Sequence, residues 1–156
     1  MSLQNLLESV QKNINEGNIK YALLDLKSAK GMAPNDWRVA YYYGRCYLET
    51  GELDKAIDNL KTAHDAQPIP TVSYFLANAY VRNKNWPEAA TVAQGALAQE
   101  VDDTVTEAAL NYILSGANME QGNLDKAIAA AERAAELQPQ DNDYKTHLER
   151  LRKAKG

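Results

Sequence analysis

The chain has 156 residues, of which 45% are hydrophobic and 24% are charged, and its formal net charge is -4 at pH 7. This length allows one domain or a short repeat array, and the composition is that of a soluble globular chain rather than a disordered one. The negative charge argues against a general affinity for nucleic acid or for an anionic membrane, because both require clustered positive charge.

The cysteine content and the lack of long apolar runs indicate the cellular compartment in which the chain is expected. Cys46 is the single cysteine, which excludes an internal disulfide and a zinc site built from several cysteines. The first residues lack the basic and apolar stretches of an export signal, and no run approaches the roughly 18 apolar residues that span a bilayer. We expect a cytoplasmic protein that does not insert directly into a membrane.

The first half of the chain predicts two pairs of helices. Apolar residues at helical spacing predict a first helix, and Gly17 marks a turn before a second apolar stripe. The next pair has a leading stripe, a turn at Thr50–Gly51 and a second stripe that ends before Pro68. The leading stripe that we expect to pack consists of Ala40, Tyr43, Gly44 and Tyr47.

The second half predicts two further pairs and a single helix. In the third pair Lys84 replaces the turn glycine, and Asn85 with Glu88 predicts a capping pair. Extra residues precede the fourth pair, where Thr104–Glu107 predicts a capping box and a leading helix about one turn longer than the others. After Pro139, apolar positions at i, i+4 and i+7 predict one helix that covers the last pair. Those positions are Tyr144, Leu148 and Leu151.

A short motif recurs at the four turns. Gly51–Ile57 returns as Gly122–Ile128, and weaker copies are Gly17–Leu23 and Lys84–Ala90. The repeats then begin at Leu3, Trp37, Pro70 and Ala108, with spacings of 34, 33 and 38 residues by subtraction. The predicted repeats are 3–36, 37–69, 70–107 (including the connecting residues) and 108–140, followed by a capping helix at 141–155.

This arrangement resembles the tetratricopeptide repeat, which has a period of about 34 residues and places aromatic, small and proline residues at fixed offsets. The second repeat carries most of that signature, in Tyr43, Gly44, Tyr47, Ala56, Leu60, Ala63 and Pro68. When the four repeats are aligned, two positions are alanine in every repeat, and we call each of them an alanine column. The first consists of Ala22, Ala56, Ala89 and Ala127, and the second of Ala29, Ala63, Ala96 and Ala134. The resemblance implies an all-α fold, a right-handed α-solenoid of about four helix-turn-helix repeats plus a C-terminal capping helix.

No catalytic or cofactor site is predicted. His64 and His147 are the only histidines, and neither has an i+4 histidine or a cysteine nearby in sequence to suggest a metal site. The glycines form neither a dinucleotide-binding nor a phosphate-binding loop. Cys46 lies close to the packed face of its helix, where a thiol behaves as a small apolar group. We expect no enzymatic activity, no metal and no cofactor.

The resemblance implies that the first helix of each pair builds an inner, concave face. The candidate binding residues on it are Arg38, Tyr41, Arg45, Tyr74, Asn78, Arg82 and Tyr112. Tyr41, Tyr74 and Tyr112 occupy equivalent places and would form a ladder of rings, which suits recognition because tyrosine offers a large rigid contact area. The alternative is that these rings pack between adjacent leading helices.

The resemblance also implies that the chain binds another protein or a peptide. Family members that bind chaperone C-termini use a lysine, arginine and asparagine clamp, and the full clamp is absent here. The predicted groove is mixed and would take an extended peptide with some acidic character. We expect a protein-interaction scaffold with a protein or peptide partner and no nucleic acid. The alternatives are a dedicated chaperone of secreted substrates, similar to those of type III secretion, and a self-assembling structural module that forms homo-oligomers.

Overall fold

The computed structural model describes residues 1–156 and contains nine α-helices and no β-strand, so the predicted all-α fold is confirmed. The helices are α1 (Leu3–Asn15), α2 (Ile19–Met32), α3 (Trp37–Thr50), α4 (Leu53–Ala66), α5 (Pro70–Arg82), α6 (Trp86–Leu97), α7 (Thr104–Glu120), α8 (Leu124–Leu137) and α9 (Asn142–Lys155). None of them combines the length and the apolar character needed to cross a lipid bilayer.

Turns with a left-handed backbone join the two helices of each pair. Gly17, Gly51 and Gly122 have φ angles of 78°, 79° and 79°. Glycine adopts this conformation freely because it has no Cβ. Lys84 takes the same conformation at φ 61°, where an L-residue costs about 1 to 2 kcal/mol. The third pair therefore keeps the turn geometry of the others although it lacks their glycine.

Aspartate and serine side chains begin several helices. The side chains that accept a backbone N–H there are Ser2, Asp36, Asp103 and Asp141. The capping box predicted at Thr104 is wrong, because Asp103 caps α7 and accepts the Val105 N–H at 3.0 Å. Asn85 precedes α6 but makes no side-chain capping hydrogen bond. Helix α7 has 17 residues against 13 in α5, which confirms the longer leading helix.

Residues Met1–Pro68 form a compact unit, the first unit, which contains α1 to α4. Its core includes Leu6, Leu7, Val10, Ile14, Ala22, Leu26, Ala29, Val39 and Cys46. Gly44 of α3 lies against α4, where a Cβ would be 2.8 Å from Leu60 Cδ2 and 3.3 Å from the Ala56 carbonyl oxygen. The two helices approach this closely because residue 44 has no side chain.

Residues Ile69–Gly156 form the second unit, which contains α5 to α9. One core cluster consists of Ala77, Ala93, Ala96, Leu110 and Ile113. A second cluster joins α9 to α8 through Leu148 and Leu151, which are buried with Ala127 and Ala131. Helix α9 therefore covers the apolar face of α8, the place that the sequence predicted for a capping helix.

Both alanine columns are buried. All eight side chains are at most 1% exposed: Ala22, Ala56, Ala89, Ala127, Ala29, Ala63, Ala96 and Ala134. Every one of them lies on the second helix of its pair. A larger side chain at these positions would have to displace a neighbouring helix, because packed interiors hold few voids.

Candidate functional site

The second unit contains a cavity of about 620 Å³ that is lined mainly by α5, α7 and α9. Its lining includes Tyr74, Asn78, Tyr112, Ile113, Tyr144 and His147. The volume lies within the range of roughly 300 to 1,000 Å³ that is usual for ligand sites. The residues combine apolar surface with hydroxyl, amide and imidazole groups, as sites that bind and orient a ligand do.

Aromatic rings form one wall of the cavity. The Tyr112 ring is 5.0 Å from the Tyr144 ring and 5.0 Å from the His147 ring, measured between centroids. Tyr112 remains 37% exposed, so part of its ring is open to a ligand. Burial, together with the nearby Asp141 carboxylate, raises the pKa of the Tyr144 hydroxyl, which therefore stays protonated as a hydrogen-bond donor near neutral pH.

His147 is held in place by a buried serine of α7. The Ser115 hydroxyl donates to the Ala127 carbonyl oxygen at 2.6 Å, and Ser115 Oγ is 2.8 Å from His147 Nε2. Because the single hydroxyl proton is already donated, His147 Nε2–H must be the donor in the second bond. This bond fixes the ring orientation of His147 and links α9 to α7.

Carboxylates outnumber cations along the cavity. Glu120 at the end of α7 and Asp141 and Asp143 at the start of α9 all line it, and Arg150 is the guanidinium among the lining residues. Asp141 Oδ1 accepts the Tyr144 backbone N–H at 3.1 Å and thereby caps α9. Glu120 and Asp143 are exposed and form no ion pair within the chain.

Comparison with protein families matches the tetratricopeptide repeat profile at residues 17–68, 54–103 and 74–142, which together include most of the chain. The chain belongs to the tetratricopeptide repeat family. Comparison with curated protein sequences finds no significant match.

Solved structures of other proteins share the fold. MamA 41-end from Desulfovibrio magneticus RS-1 is 23% identical with a TM-score of 0.85, and the match covers 98% of this chain and 85% of that one. TTC0263, a tetratricopeptide repeat protein of Thermus thermophilus, is 20% identical with a TM-score of 0.73 over 97% of this chain and 81% of that one. At these identities the likeness shows the fold alone, an all-α helical repeat solenoid.

A third structure contains a ligand. The first tetratricopeptide repeat domain of Spaghetti (RPAP3), bound to the HSP90 peptide SRMEEVD, is 25% identical to this chain with a TM-score of 0.69. The match covers 76% of this chain and 91% of that one. That protein therefore binds a peptide on a fold of the same class.

Three of the predicted binding residues lie together in this tetratricopeptide repeat chain. Tyr74 and Asn78 of α5 and Tyr112 of α7 all line the cavity of the second unit. Arg82, also on α5, is exposed and does not belong to the lining. Of the three tyrosines of the ring ladder predicted from the sequence, Tyr74 and Tyr112 line this cavity.

The remaining predicted residues, Arg38, Tyr41 and Arg45, lie on α3 of the first unit. Tyr41 is 7% exposed, so for this ring the packing alternative applies. The Arg38 guanidinium binds Asp36 at 2.8 Å and donates to Gln4 Oε1 at 3.2 Å. The Arg45 guanidinium lies 5.7 Å from the Tyr41 ring centroid. These side chains are largely engaged within the chain.

The buried surface of α3 is broader than the packed face predicted for it. Gly44 is buried as expected, whereas Ala40, Tyr43 and Tyr47 are only half-buried. The other buried residues of this helix are Val39, Tyr41, Cys46 and Leu48. The correction follows from neighbours on two sides, because α3 contacts α1 and α2 as well as α4. A helix packed on several sides has no single apolar stripe that identifies its open face.

Sequence reasoning missed the residues that α9 contributes to the cavity. Tyr144 was assigned to the covering stripe with Leu148 and Leu151, yet it lines the cavity while the two leucines are buried against α8. The sequence predicts no role for His147. The available signal was the spacing of Tyr144, His147 and Arg150, which places all three on one face of α9 at helical spacing.

Two potential nucleophiles, Cys46 and Ser115, are buried. Cys46 is fully buried, and burial raises the pKa of its thiol to about 11, which disfavours the nucleophilic thiolate. Ser115 lies beside a histidine, but it is fully buried and its proton is donated to Ala127, so the pair lacks the access that a nucleophile requires. No cluster of three or more metal-ligating side chains is present.

The histidines predict how stability depends on pH. Burial, followed by the Arg150 guanidinium, lowers the pKa of His147, and burial also lowers that of His64. Between each lowered value and about 6.5, the pH at which histidine titrates in the unfolded chain, the unfolded chain binds more protons than the folded chain. We expect the free energy of unfolding to be highest above that pH and to fall as pH decreases through the lowered folded pKa values.

Urea unfolding at a series of pH values between about 7.5 and about 5 measures this dependence. His147→Gln is the informative variant, because glutamine keeps an N–H donor for Ser115 but does not titrate in this range. The free energy of unfolding of the variant should fall less steeply on acidification, and the remaining slope is expected from His64 and, toward about pH 5, from carboxyl groups such as Asp36 whose pKa is lowered. If the free energy of unfolding changes equally steeply with pH in the unmodified chain and in His147→Gln, then His147 does not contribute to the pH dependence.

Proposed function

We propose that the chain is a protein-interaction scaffold that binds a segment of a partner protein in the cavity of the second unit. The observation that carries the proposal is the cavity itself, in which rings from α5, α7 and α9 face open space. Tyr74, Tyr112 and Tyr144 all belong to its lining. Aromatic side chains of this kind supply most of the binding energy in many protein interfaces.

Two properties of the cavity suit a peptide. Its volume of about 620 Å³ accommodates a few side chains of an extended segment. Asn78 and the Tyr144 hydroxyl supply polar groups that can pair with the backbone of such a segment, since buried peptide groups need hydrogen-bond partners. The rings of Tyr112, Tyr144 and His147 are held by their mutual contacts, so these side chains lose little entropy when a ligand binds.

Family membership supports the same conclusion. Tetratricopeptide repeats are typically interaction scaffolds, and the Spaghetti (RPAP3) domain is bound to a peptide in its structure. The proposal here differs from the groove predicted from the sequence in its position, because it uses Tyr74, Asn78 and Tyr112 with residues of α9. Tyr41 is not part of the proposed site, since its ring is buried in the first unit.

Selection from a displayed library of random peptides tests the proposal. We expect recovered peptides to bind the unmodified chain and to bind Tyr112→Ala more weakly by about 1 to 2 kcal/mol, roughly fivefold to thirtyfold, because the ring is an exposed anchor of the cavity. The matched control is Tyr21→Ala, which removes a tyrosine that is 63% exposed on α2 of the first unit.

Two outcomes would contradict the proposal. If the peptides bind the unmodified chain, Tyr112→Ala and Tyr21→Ala equally well, the binding surface lies outside the cavity. Failure to recover any peptide, combined with a molecular mass that rises with concentration in sedimentation and falls in Tyr112→Ala, would instead support self-assembly through this surface.

A further inference from the structure

We propose that the segment bound in this cavity presents a basic side chain, lysine or arginine, to the end formed by the start of α9. The inference rests on the proposed function and names the chemistry of the ligand. It also reverses the expectation of an acidic peptide, which was based on Arg38, Arg45 and Arg82. None of those three arginines lines the cavity.

The charges of the cavity are divided between its two ends. Tyr112 contacts Tyr144 and His147, and Ser115 contacts His147, so residue numbers increase in the same direction along α7 and α9. Arg150 therefore lies toward the end of the cavity where α7 finishes with Glu120, so the lining residues at that end carry one formal positive and one formal negative charge. Asp141 and Asp143 lie at the other end.

Asp141 and Asp143 are not neutralised by the helix on which they lie. A helix N-terminus carries the equivalent of about half a positive charge, against the two full negative charges of these carboxylates. Capping occupies only one Asp141 oxygen, through the Tyr144 N–H, and Asp143 forms no ion pair. An excess of negative charge remains beside the rings of Tyr112 and Tyr144, where the negative face of an aromatic ring also attracts a cation.

His147 does not offset this charge near neutral pH. Its pKa is lowered by burial and by the Arg150 guanidinium, so the imidazole is uncharged there. A lysine or arginine side chain of a partner would therefore meet two carboxylates and aromatic faces at this end, while its neighbouring apolar side chains contact Ile113 and the tyrosines. An acidic side chain at the same place would be repelled.

Three displayed peptide libraries test the inference; they differ only at a fixed central residue, which is lysine, glutamine or glutamate. We expect the library with central lysine to give peptides that depend on Tyr112 and bind at least about fivefold more tightly than their glutamine counterparts, with glutamate weakest. Raising the salt concentration from about 50 to about 500 mM should reduce the difference, because the rim carboxylates are accessible to solvent.

The double variant Asp141→Asn/Asp143→Asn should abolish the preference for lysine. It preserves α9, because asparagine caps a helix about as well as aspartate. Glu149→Gln is the matched control, since it removes one exposed carboxylate from α9 outside the cavity lining and should retain the preference. Circular dichroism of both variants checks that they are folded.

The results separate this inference from the function on which it rests. Peptides that depend on Tyr112 but bind equally well with lysine, glutamine or glutamate would overturn the basic ligand and leave the peptide-binding cavity intact. Loss of the preference in Glu149→Gln as well would also overturn it, because the effect would then reflect net charge alone. Absence of any Tyr112-dependent peptide from all three libraries would overturn both.

Discussion

Replacing Tyr41 by alanine is expected to lower the free energy of unfolding by about 3 to 5 kcal/mol, the usual cost of truncating an aromatic side chain in a core. The ring is 7% exposed. It contacts the rings of Trp37 and Tyr42 at centroid distances of 6.0 and 5.0 Å. Removal of the ring loses these contacts and leaves a cavity, because the surrounding helices relax only partly.

Chemical unfolding of Tyr41→Ala and Tyr112→Ala side by side measures the difference between a packed ring and an open one. Tyr112→Ala should cost about 1 kcal/mol, because the ring is 37% exposed and loses mainly its contacts with Tyr144 and His147. Equal losses in the two variants would contradict this assignment. A loss at Tyr112 as large as that expected for Tyr41 would also remove it from the proposed binding site.

Ala127→Leu is expected to destabilise the chain by about 1 to 3 kcal/mol through overpacking. Ala127 is fully buried on α8, and its carbonyl oxygen accepts the 2.6 Å hydrogen bond from Ser115 of α7. A leucine side chain there would push α8 away from its neighbours and lengthen that bond. The denaturant midpoint, measured at a fixed protein concentration, reports the change.

Ala129→Leu provides the control on the same helix. Residue 129 is exposed, so the added side chain does not have to enter the packed interior, and leucine retains a high helix propensity. Its effect should stay within about 0.5 kcal/mol, as for most surface substitutions. Similar losses at residues 127 and 129 would mean that burial in the alanine column is not the cause.

The architecture was largely predictable because the sequence repeats its turns. Gly51 and Gly122 recur in nearly the same seven-residue motif and both adopt the left-handed conformation that the motif predicts. Lys84 shows the limit of such reasoning, since nothing in the residue itself requires φ 61° and only its place in the period points to a turn. The turn at Lys84 was thus predictable from the repeat period and not from the conformational preference of lysine.

The site was harder to predict because it depends on which face of each helix remains open. Helix α3 is packed on several sides, so Tyr41 is buried although its position in the repeat equals that of Tyr74 and Tyr112. The contact between Ser115 and His147 joins residues 32 positions apart on helices that are not neighbours in the chain. No local spacing encodes such a contact, because it exists only after the helices have packed.

Helix α9 has two roles in the second unit. Leu148 and Leu151 cover α8, while Tyr144 and His147 form part of the cavity wall. Only Leu148 and Leu151 of α9 are buried, and a segment with few buried apolar contacts generally opens at a lower free energy than the interior of a fold. Detachment of α9 would remove that wall without unfolding the other helices. The affinity measured for a segment bound there would then equal the intrinsic affinity multiplied by the fraction of molecules in which α9 is docked.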